Sequence, residues 1–544
     1  MPCSTIRQQS LGLGLLALLL FCAGVYQQSA IGFDSRFVLF AEEMLRHGPG
    51  FFPTTYGQPY PDYWATSTIF TWLLSLPFGQ VNAMTAWLPS ALASAVIVTL
   101  VYRLLAPCSR TWALCSIALL LLSNTFISET RAVSLDQMIA ALTFAVFYLG
   151  YAHDHYQAPR RLPLILGLVL LGFAIRGPIG LVVPTGVLCS YCLLSRQWRR
   201  MIGFGAMAAV LLALGIGLLL WLAYISGGPD FVQDVIRMQF MGRMDGSEGA
   251  SEPLYYFTSS LGNYALAYPL AVLVLVALVF SRREHGPARR LLMYCLGAGL
   301  LVMIGLSIPM AKKARYMLPM LPMAAIIGAY PFQGSSLPVW RWIRGVIQGL
   351  WLIIPGVLMV GVLVARRRFP ELLGSPGWIL GLLAFLQVLA LVLLFQPRAR
   401  TVGLAFSAVL AVWSSYIMVI EPAQRSLYDT RTFSRAAFAL IQQDPAPVLL
   451  HGMGKDAKAI KFMVNLDQDL LPEFTHSEEQ VLHRDGPAWL MIDSSDFAAL
   501  KDSRLTSLKP VLSGTFDKAP YLLLRLPAAP LISNHIKINA LKLH

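Results

Sequence analysis

Over the first 420 positions, apolar runs of roughly 18–22 residues follow one another, each long enough to cross a hydrocarbon core about 30 Å thick. A water-soluble fold has no room to bury so many continuous apolar segments, so the chain reads as a polytopic α-helical membrane protein. Composition agrees: 56% of residues are hydrophobic and only 13% charged, whereas a soluble chain runs near a quarter charged. Thirteen spans are expected, near 10–30, 85–105, 111–127, 134–152, 162–176, 179–195, 202–225, 263–281, 290–309, 316–332, 346–365, 376–395 and 401–420. The first run, preceded by Arg7 and followed by QQSA, is read as a retained span rather than a cleaved signal.

With a cytoplasmic N-terminus, an odd number of spans leaves the C-terminus outside. The clusters Arg103/Arg110, Arg160/Arg161, Arg196/Arg199/Arg200, Arg282/Arg283/Arg289/Arg290, Arg341/Arg344 and Arg398/Arg400 then all fall inside. The net charge of +14 is therefore topological, and no nucleic-acid partner is expected. Of seven cysteines, Cys189 and Cys192 have a metal or redox spacing, but they lie in a span without His or charged neighbours. Simple packing is expected of them, and no disulfide framework.

The first polar passage, Ile31 to Trp64, is the most informative loop. Phe33, Phe37, Phe40, Ala41, Met44 and Leu45 share one helical face. Such a helix directly after a span is expected to lie along the bilayer surface, with Asp34 at the membrane–water boundary. Juxtamembrane helices are expected over 32–84 and an outer loop over 226–262, completing a membrane domain of residues 1–420. Residues 421–544 are more charged and alternate short segments, which points to a small outer α/β domain. Helices are expected at 436–443 and 456–464, strands at 447–451 and 488–493, and a hairpin from 510–516 and 521–526.

Cations on the outer side need a reason. Arg176 interrupts an apolar run at IRGPIG, Lys312, Lys313 and Arg315 crowd a short turn before Tyr316, and Arg366, Arg367 and Arg368 form a third patch. A phosphate or pyrophosphate headgroup is one reason, and contact with anionic lipid is another. Acids stand at span ends on the same side: Asp34, Asp62 within Tyr60-Pro61-Asp62-Tyr63-Trp64, and Glu129 and Asp136 flanking Arg131. The segment Asp230–Tyr256 adds Arg237, Arg243, Glu252 and Tyr256.

Each has a plainer reading. Asp34 serves as an N-cap, Arg131 and Asp136 form a buried ion pair, the lysine turn snorkels to lipid headgroups, and Glu129 is solvated. As a set they suit removal of a group from a lipid phosphate. A departing phosphate needs Lys or Arg to stabilise it, and a hydroxyl acceptor needs a carboxylate to take its proton. An acceptor that is itself a phosphate needs only orientation. An N-capped Asp has a lowered pKa, which favours the orienting role for Asp34.

Several of these segments resemble, in order, motifs of bacterial aminoarabinose transferases and their protein-mannosyltransferase-like relatives. Asp34-Ser35-Arg36-Phe37 followed by Ala41-Glu42-Glu43-Met44-Leu45 resembles D-E-x-R-Y-A…R-E-M-L, and GQPYPDYW resembles G-x-P-Y-x-E-K-P-P-L. Arg176-Gly177-Pro178 is similar to a K-G-P turn, and Glu252-Pro253-Leu254-Tyr255-Tyr256 to E-P-F-x-Y-Y. Lys312-Lys313-Ala314-Arg315-Tyr316-Met317-Leu318-Pro319 matches K-x-x-R-Y-L-L-P best. The resemblance implies a GT-C-type inverting glycosyltransferase that uses an undecaprenyl-phosphate-linked sugar at the outer face of a bacterial inner membrane, with the C-terminal domain periplasmic. It assigns the catalytic acids to Asp34, Asp62 and Asp136. Donor-phosphate contacts fall on Arg131, Arg176, Lys312, Lys313, Arg315 and Tyr316, and substrate-loop contacts on Arg36, Arg237, Glu252 and Tyr256.

Ser35 replaces the second acid of the D-E pair, and Tyr63 stands where a phosphate-binding lysine is expected. The Asp230–Tyr256 segment has no His, so the divalent metal the resemblance allows lacks an obvious ligand there. Lipid A is the preferred acceptor. A protein O-mannosyltransferase-like enzyme is the same chemistry with a polypeptide hydroxyl acceptor. A transporter of a lipid-linked sugar would place charge near the midplane in matching halves, whereas here it gathers at one face. A non-enzymatic scaffold leaves the acids and cations without a task.

Overall fold

The computed structural model describes residues 3–30, 34–61, 64–156, 161–245, 251–280, 286–334, 337–371, 377–455, 458–484 and 486–527. Among them, nine helices are long and apolar enough to cross a membrane, or up to eleven if each of two bent pairs is one span. The pairs are Arg110–Leu121 with Asn124–Thr130, bent by 74°, and Tyr255–Asn263 with Ala267–Val279, bent by 114°.

Two places account for the step from eleven to thirteen, and the first is a run counted once although it turns back on itself, as the two expected segments require. Residues 162–176 and 179–195 belong to one helical run, Arg161–Leu194, broken at Arg176 (φ −141°, ψ 24°) and Gly177 (φ 58°, ψ −143°). A Cβ on Gly172 would come 2.1 Å from the Gly180 carbonyl oxygen, whereas residues eight apart in an unbroken helix are about 12 Å apart. The chain therefore reverses at Arg176–Gly177, and the left-handed φ there suits a residue without Cβ. The second place is Ala314–Gly328, an apolar segment too short to cross. It opens as a 3-10 turn, Ala314–Met320, before the helix Leu321–Gly328. Pro319 and Pro322 each remove a backbone donor there.

The helix Asp34–His47 forms as its spacing predicts, with Asp34 as its first residue. Its apolar side chains Phe37, Phe40, Ala41 and Met44 are buried under protein, so this face is not the bilayer-lying surface expected from sequence. Phe33 lies outside the described residues. The expected loop 226–262 is largely helical: Trp198–Ile236 continues past a break at Gly228 (φ 74°), where Pro229 starts a new helical stretch. A π-turn at Arg237–Met241 follows.

Apolar burial gives little drive inside a bilayer, so packing and satisfied polar groups hold the helices. Fully buried Trp112 and Trp413 donate their indole N–H groups to the Ile326 and Leu121 carbonyls, each at 2.9 Å. In each case a large ring fills space between helices while its one polar atom is paired.

The chain divides into two units: residues 1–27 with 40–421, and residues 28–39 with 422–544. The second holds a five-stranded mixed sheet of β1 (Val448–His451), β2 (Glu473–Thr475), β3 (Ala488–Asp493), β4 (Leu512–Phe516) and β5 (Ala519–Leu526). Its order is β2-β1-β3-β5-β4. β1 runs parallel to β2 and β3, while β5 is antiparallel to β3 and β4. The β4–β5 hairpin turns at Asp517 (φ 51°) and Lys518 (φ 73°), the double left-handed pair that a two-residue hairpin loop requires. Leu490, Ile492 and Leu524 centre its core.

Candidate functional site

The site begins at the first turn of the helix Leu135–His155. Ser134 caps it, its hydroxyl accepting from the Gln137 N–H at 3.2 Å. The Ser134 N–H donates to Ser90 Oγ at 2.9 Å, and Gln137 Nε2 to Ser94 Oγ at 2.7 Å. Ser94 Oγ lies 2.7 Å from Thr130 Oγ1. These bonds fasten the helix start to the Ala83–Leu105 helix, so Asp136 is presented on a fixed backbone.

Two guanidinium groups converge on that one carboxylate. Arg176 pairs with Asp136 Oδ1, and Arg315 Nε lies 3.0 Å from Oδ2. Side-chain exposures are 3% for Arg176, 7% for Asp136 and 19% for Arg315, so all three are largely withdrawn from water. The Tyr316 ring faces both cations, 4.8 Å from the Arg176 guanidinium carbon and 6.0 Å from that of Arg315. Two guanidinium groups thus share one carboxylate.

Arg176 reaches this point because its helix breaks there. The helical turn before it is held from outside: Thr66 donates its hydroxyl to the Ala174 carbonyl, and Trp64 meets Phe173 edge-on with ring centroids 5.6 Å apart. Arg315 is held by the 3-10 turn. Tyr264 Oη donates to the Ala314 carbonyl at 2.7 Å, and Lys312 Nζ donates to the Ser251 carbonyl at 3.1 Å. The Ser251 N–H in turn donates to the Met310 carbonyl at 3.2 Å. The segment before Glu252 is thus laced to the cationic turn, with Tyr256 buried behind it and Lys313 exposed.

Arg131 does not join Asp136. Its Nε and Nη2 engage the two carboxylate oxygens of Glu421, Nη2 to Oε2 at 2.7 Å. Its Nη1 donates to the Phe21 and Ala23 carbonyls at 2.7 and 2.8 Å. Every guanidinium nitrogen has a protein partner, so the phosphate role read for Arg131 gives way to a structural one: it ties the end of the first helix to the end of the last span. Nothing in sequence spacing marks Glu421, 290 residues away, as its partner. Glu129 accepts from the Ser134 hydroxyl and so belongs to the scaffold of the helix start rather than to bulk water. Tyr264 was likewise unmarked by any motif.

Asp34 and Arg36 lie in the unit of residues 28–39 with 422–544. Arg36 sits 5.4 Å from the Phe37 ring. Arg237 and Glu252 are exposed. Asp62 lies outside the described residues. Among the described residues no group of three or more His, Cys, Asp or Glu side chains is arranged to hold a metal ion, so the divalent metal has no donor set here and no chemical step is routed through one.

Chemically, two guanidinium groups gathered beside an aromatic wall are able to hold an anion. Its geometry suits a tetrahedral phosphate, which Arg groups grip through two parallel N–H donors.

Comparison with known proteins gives this geometry a context. Residues 25–226 match the family described as dolichyl-phosphate-mannose-protein mannosyltransferase. The undecaprenyl phosphate-alpha-4-amino-4-deoxy-L-arabinose arabinosyl transferase of Pseudomonas paraeruginosa is 26% identical over 311 residues, 54% of each chain. The arabinosyl transferase 1 of Sodalis glossinidius is 29% identical over 318 residues, 55% of this chain and 54% of that one. The chain spans about half the length of the curated relatives it matches. Crystal structures of ArnT from Cupriavidus metallidurans, bound to undecaprenyl phosphate and in the apo state, superpose with TM-scores of 0.67 and 0.68 at 14% and 15% identity. Both cover 94% of this chain, and 96% and 97% of their own. Residues 25–226 are thus similar to the dolichyl-phosphate-mannose-protein mannosyltransferase family, and nearly the whole chain has the fold seen in ArnT.

Proposed function

We propose that this protein is an inverting glycosyltransferase that moves a sugar from an undecaprenyl-phosphate-linked donor to an acceptor at the outer face of a bacterial inner membrane, with lipid A as acceptor. The observation that carries the reading is the largely buried Arg176–Asp136–Arg315 cluster, in which two guanidinium groups gather on one carboxylate against the Tyr316 ring, the kind of paired Arg donors that grip phosphate oxygens. A sugar leaving a lipid phosphate passes its bonding electrons to the phosphate oxygen, and the charge developing there is what Arg176 and Arg315 stabilise. Asp136 fixes both guanidinium planes and keeps them from repelling each other. Lys312 and Lys313 add charge on the same turn, and Tyr316 supplies the wall. Asp34 orients the acceptor, and Asp62 is the second acid. The catalytic membrane face is then periplasmic, as is the domain of residues 421–544.

The names of the relatives favour an aminoarabinose-type donor on undecaprenyl phosphate, and the ArnT structure holding undecaprenyl phosphate favours the same carrier. A second reading is favoured by the family matched over residues 25–226, which is named for protein mannosylation. There the acceptor is a neutral hydroxyl, and Asp34 has to take its proton.

Mass spectrometry of lipid A and of envelope glycoproteins from wild-type, deletion and Asp34→Asn strains separates the two. The proposal expects a glycosyl mass increment on lipid A that both altered strains lose. Unchanged lipid A with missing protein glycans assigns the second reading, and no change in either sinks the enzymatic account.

A further inference from the structure

The helix that carries Asp136 in its first turn carries Asp154 in its last. Eighteen residues separate them, about 27 Å along the axis, close to the thickness of a hydrocarbon core. A second charged cluster at Asp154 therefore lies at the opposite membrane face, and the reaction proposed above does not use it.

Asp154 organises the turn joining the Arg161–Leu194 and Trp198–Ile236 helices. Its Oδ2 accepts from Tyr191 Oη at 2.7 Å and Gln197 Nε2 at 2.6 Å. Its Oδ1 accepts from Arg200 Nη1 at 2.6 Å, and that nitrogen also donates to Gln197 Oε1 at 2.8 Å. With the turn pinned, Asp154, Arg196, Gln197, Trp198, Arg199 and Arg200 line an open cleft of ≈ 680 Å³. Arg196 is held at φ 60°, a left-handed conformation uncommon for a residue with a long side chain. Asp154 is engaged by Arg200. Among the described residues neither Arg196 nor Arg199 has an ion-pair partner, so the cleft carries three positive charges against one negative.

Its surroundings are those of a membrane edge. Trp198 is 54% exposed beside the arginines, where an indole sits at headgroup depth. Leu193, Leu194 and Ile202 next to it are also exposed, an apolar surface for acyl chains. We propose that this cleft binds the phosphate headgroup of an anionic phospholipid. Arg196 and Arg199 hold the phosphate oxygens, Asp154 and Gln197 keep the frame open through Arg200, and the lipid tails lie along the two helix ends. A free anion would gain the charge but not the apolar flank.

The test uses purified full-length protein in neutral detergent, with binding read by native mass spectrometry. Phosphatidylglycerol is expected to bind at least about tenfold more tightly than phosphatidylcholine. Arg199→Gln is expected to weaken it about fivefold, and Arg196→Gln with Arg199→Gln about 30-fold, at roughly fivefold per basic residue at the membrane surface. Lys509→Gln, at an exposed lysine of the C-terminal unit, is expected to leave it unchanged. Millimolar inorganic phosphate is expected not to displace the lipid. Wild-type phosphatidylglycerol affinity in the double variant, equal binding of phosphatidylcholine, or displacement by inorganic phosphate each overturns the proposal. Melting curves show whether the double variant is folded, and if it is not, the single exposed Arg199→Gln decides.

Discussion

Arg315→Gln separates the anion-binding role of the buried cluster from its structural one. In the native cluster Arg176 and Arg315 share Asp136. Removing Arg315 leaves the Arg176–Asp136 pair in place. Stability should change little, by about 1 kcal/mol or less. Donor binding should change much more. A unit charge about 4 Å from a phosphate at an effective dielectric near 20 contributes roughly 4 kcal/mol. Arg315 is 19% exposed, and partial screening reduces this to roughly 2–3 kcal/mol, or about 30- to 150-fold in affinity. The assay is binding of undecaprenyl phosphate to the purified full-length protein, with thermal melting alongside. Arg315→Lys should recover part of the affinity, because charge returns without the two-pronged geometry. Undecaprenyl phosphate affinity within threefold of wild type in Arg315→Gln would refute the reasoning. So would a large loss of stability in that variant, since it would mean Arg315 is structural.

Three further outcomes are expected. Glu421→Gln strands the Arg131 guanidinium, whose partner pair has side-chain exposures of 0% and 7%, and should cost about 3–5 kcal/mol, whereas Arg131→Met with Glu421→Met should recover most of it; melting of the three proteins checks this. Gly180→Ala places a Cβ 1.9 Å from the Gly172 carbonyl oxygen, so it should destabilise the reversal at Arg176 by about 1–3 kcal/mol and lower donor affinity with it, a coupling absent from Gly167→Ala, which meets nothing within 4 Å. Burial holds the His451 imidazole below its ordinary value of 6.5, opposed by the nearby Asp496. The unfolded chain then binds more protons in the window from about 6.5 down to the lowered folded value, so stability of the sheet unit should fall as pH drops through it. Melting from pH 7.5 to 5 should show that slope, and His451→Asn should flatten it.

Local features of this molecule are legible in its sequence, and pairings are not. The break at Arg176-Gly177-Pro178 is readable because a Gly-Pro step cannot continue a helix. The strands at 448–451 and 488–493 and the β4–β5 hairpin are readable from their apolar runs and turn. β2 spans three residues, Glu473–Thr475, too few for any alternation, and passes unnoticed. The charged residues at span ends are conspicuous in an apolar chain, so Asp136, Arg176 and Arg315 stand out. Which cation meets which acid depends on where distant helices end in space. Arg131, five residues from Asp136, looks like its natural partner, yet from the C-terminal end of Asn124–Thr130 it pairs with Glu421. Arg176 and Arg315, 40 and 179 residues away in sequence, close on Asp136 instead. Length and hydropathy also overcount spans where prolines tighten a short segment, as at Pro319 and Pro322.

The central claim is that the protein cleaves a sugar from a lipid phosphate, with Asp34 and the Arg176–Arg315 pair at work. It is tested most directly by incubating purified full-length protein with an undecaprenyl-phosphate-linked sugar and lipid A and measuring undecaprenyl phosphate released and glycosylated lipid A formed. Equimolar formation of both by the wild type is expected. A loss of about 100-fold or more is expected in Asp34→Asn at unchanged donor affinity, and a loss recovered at high donor concentration in Arg315→Gln. Full activity in Asp34→Asn, or no transfer by a folded wild-type protein to lipid A or to any envelope acceptor, would contradict it.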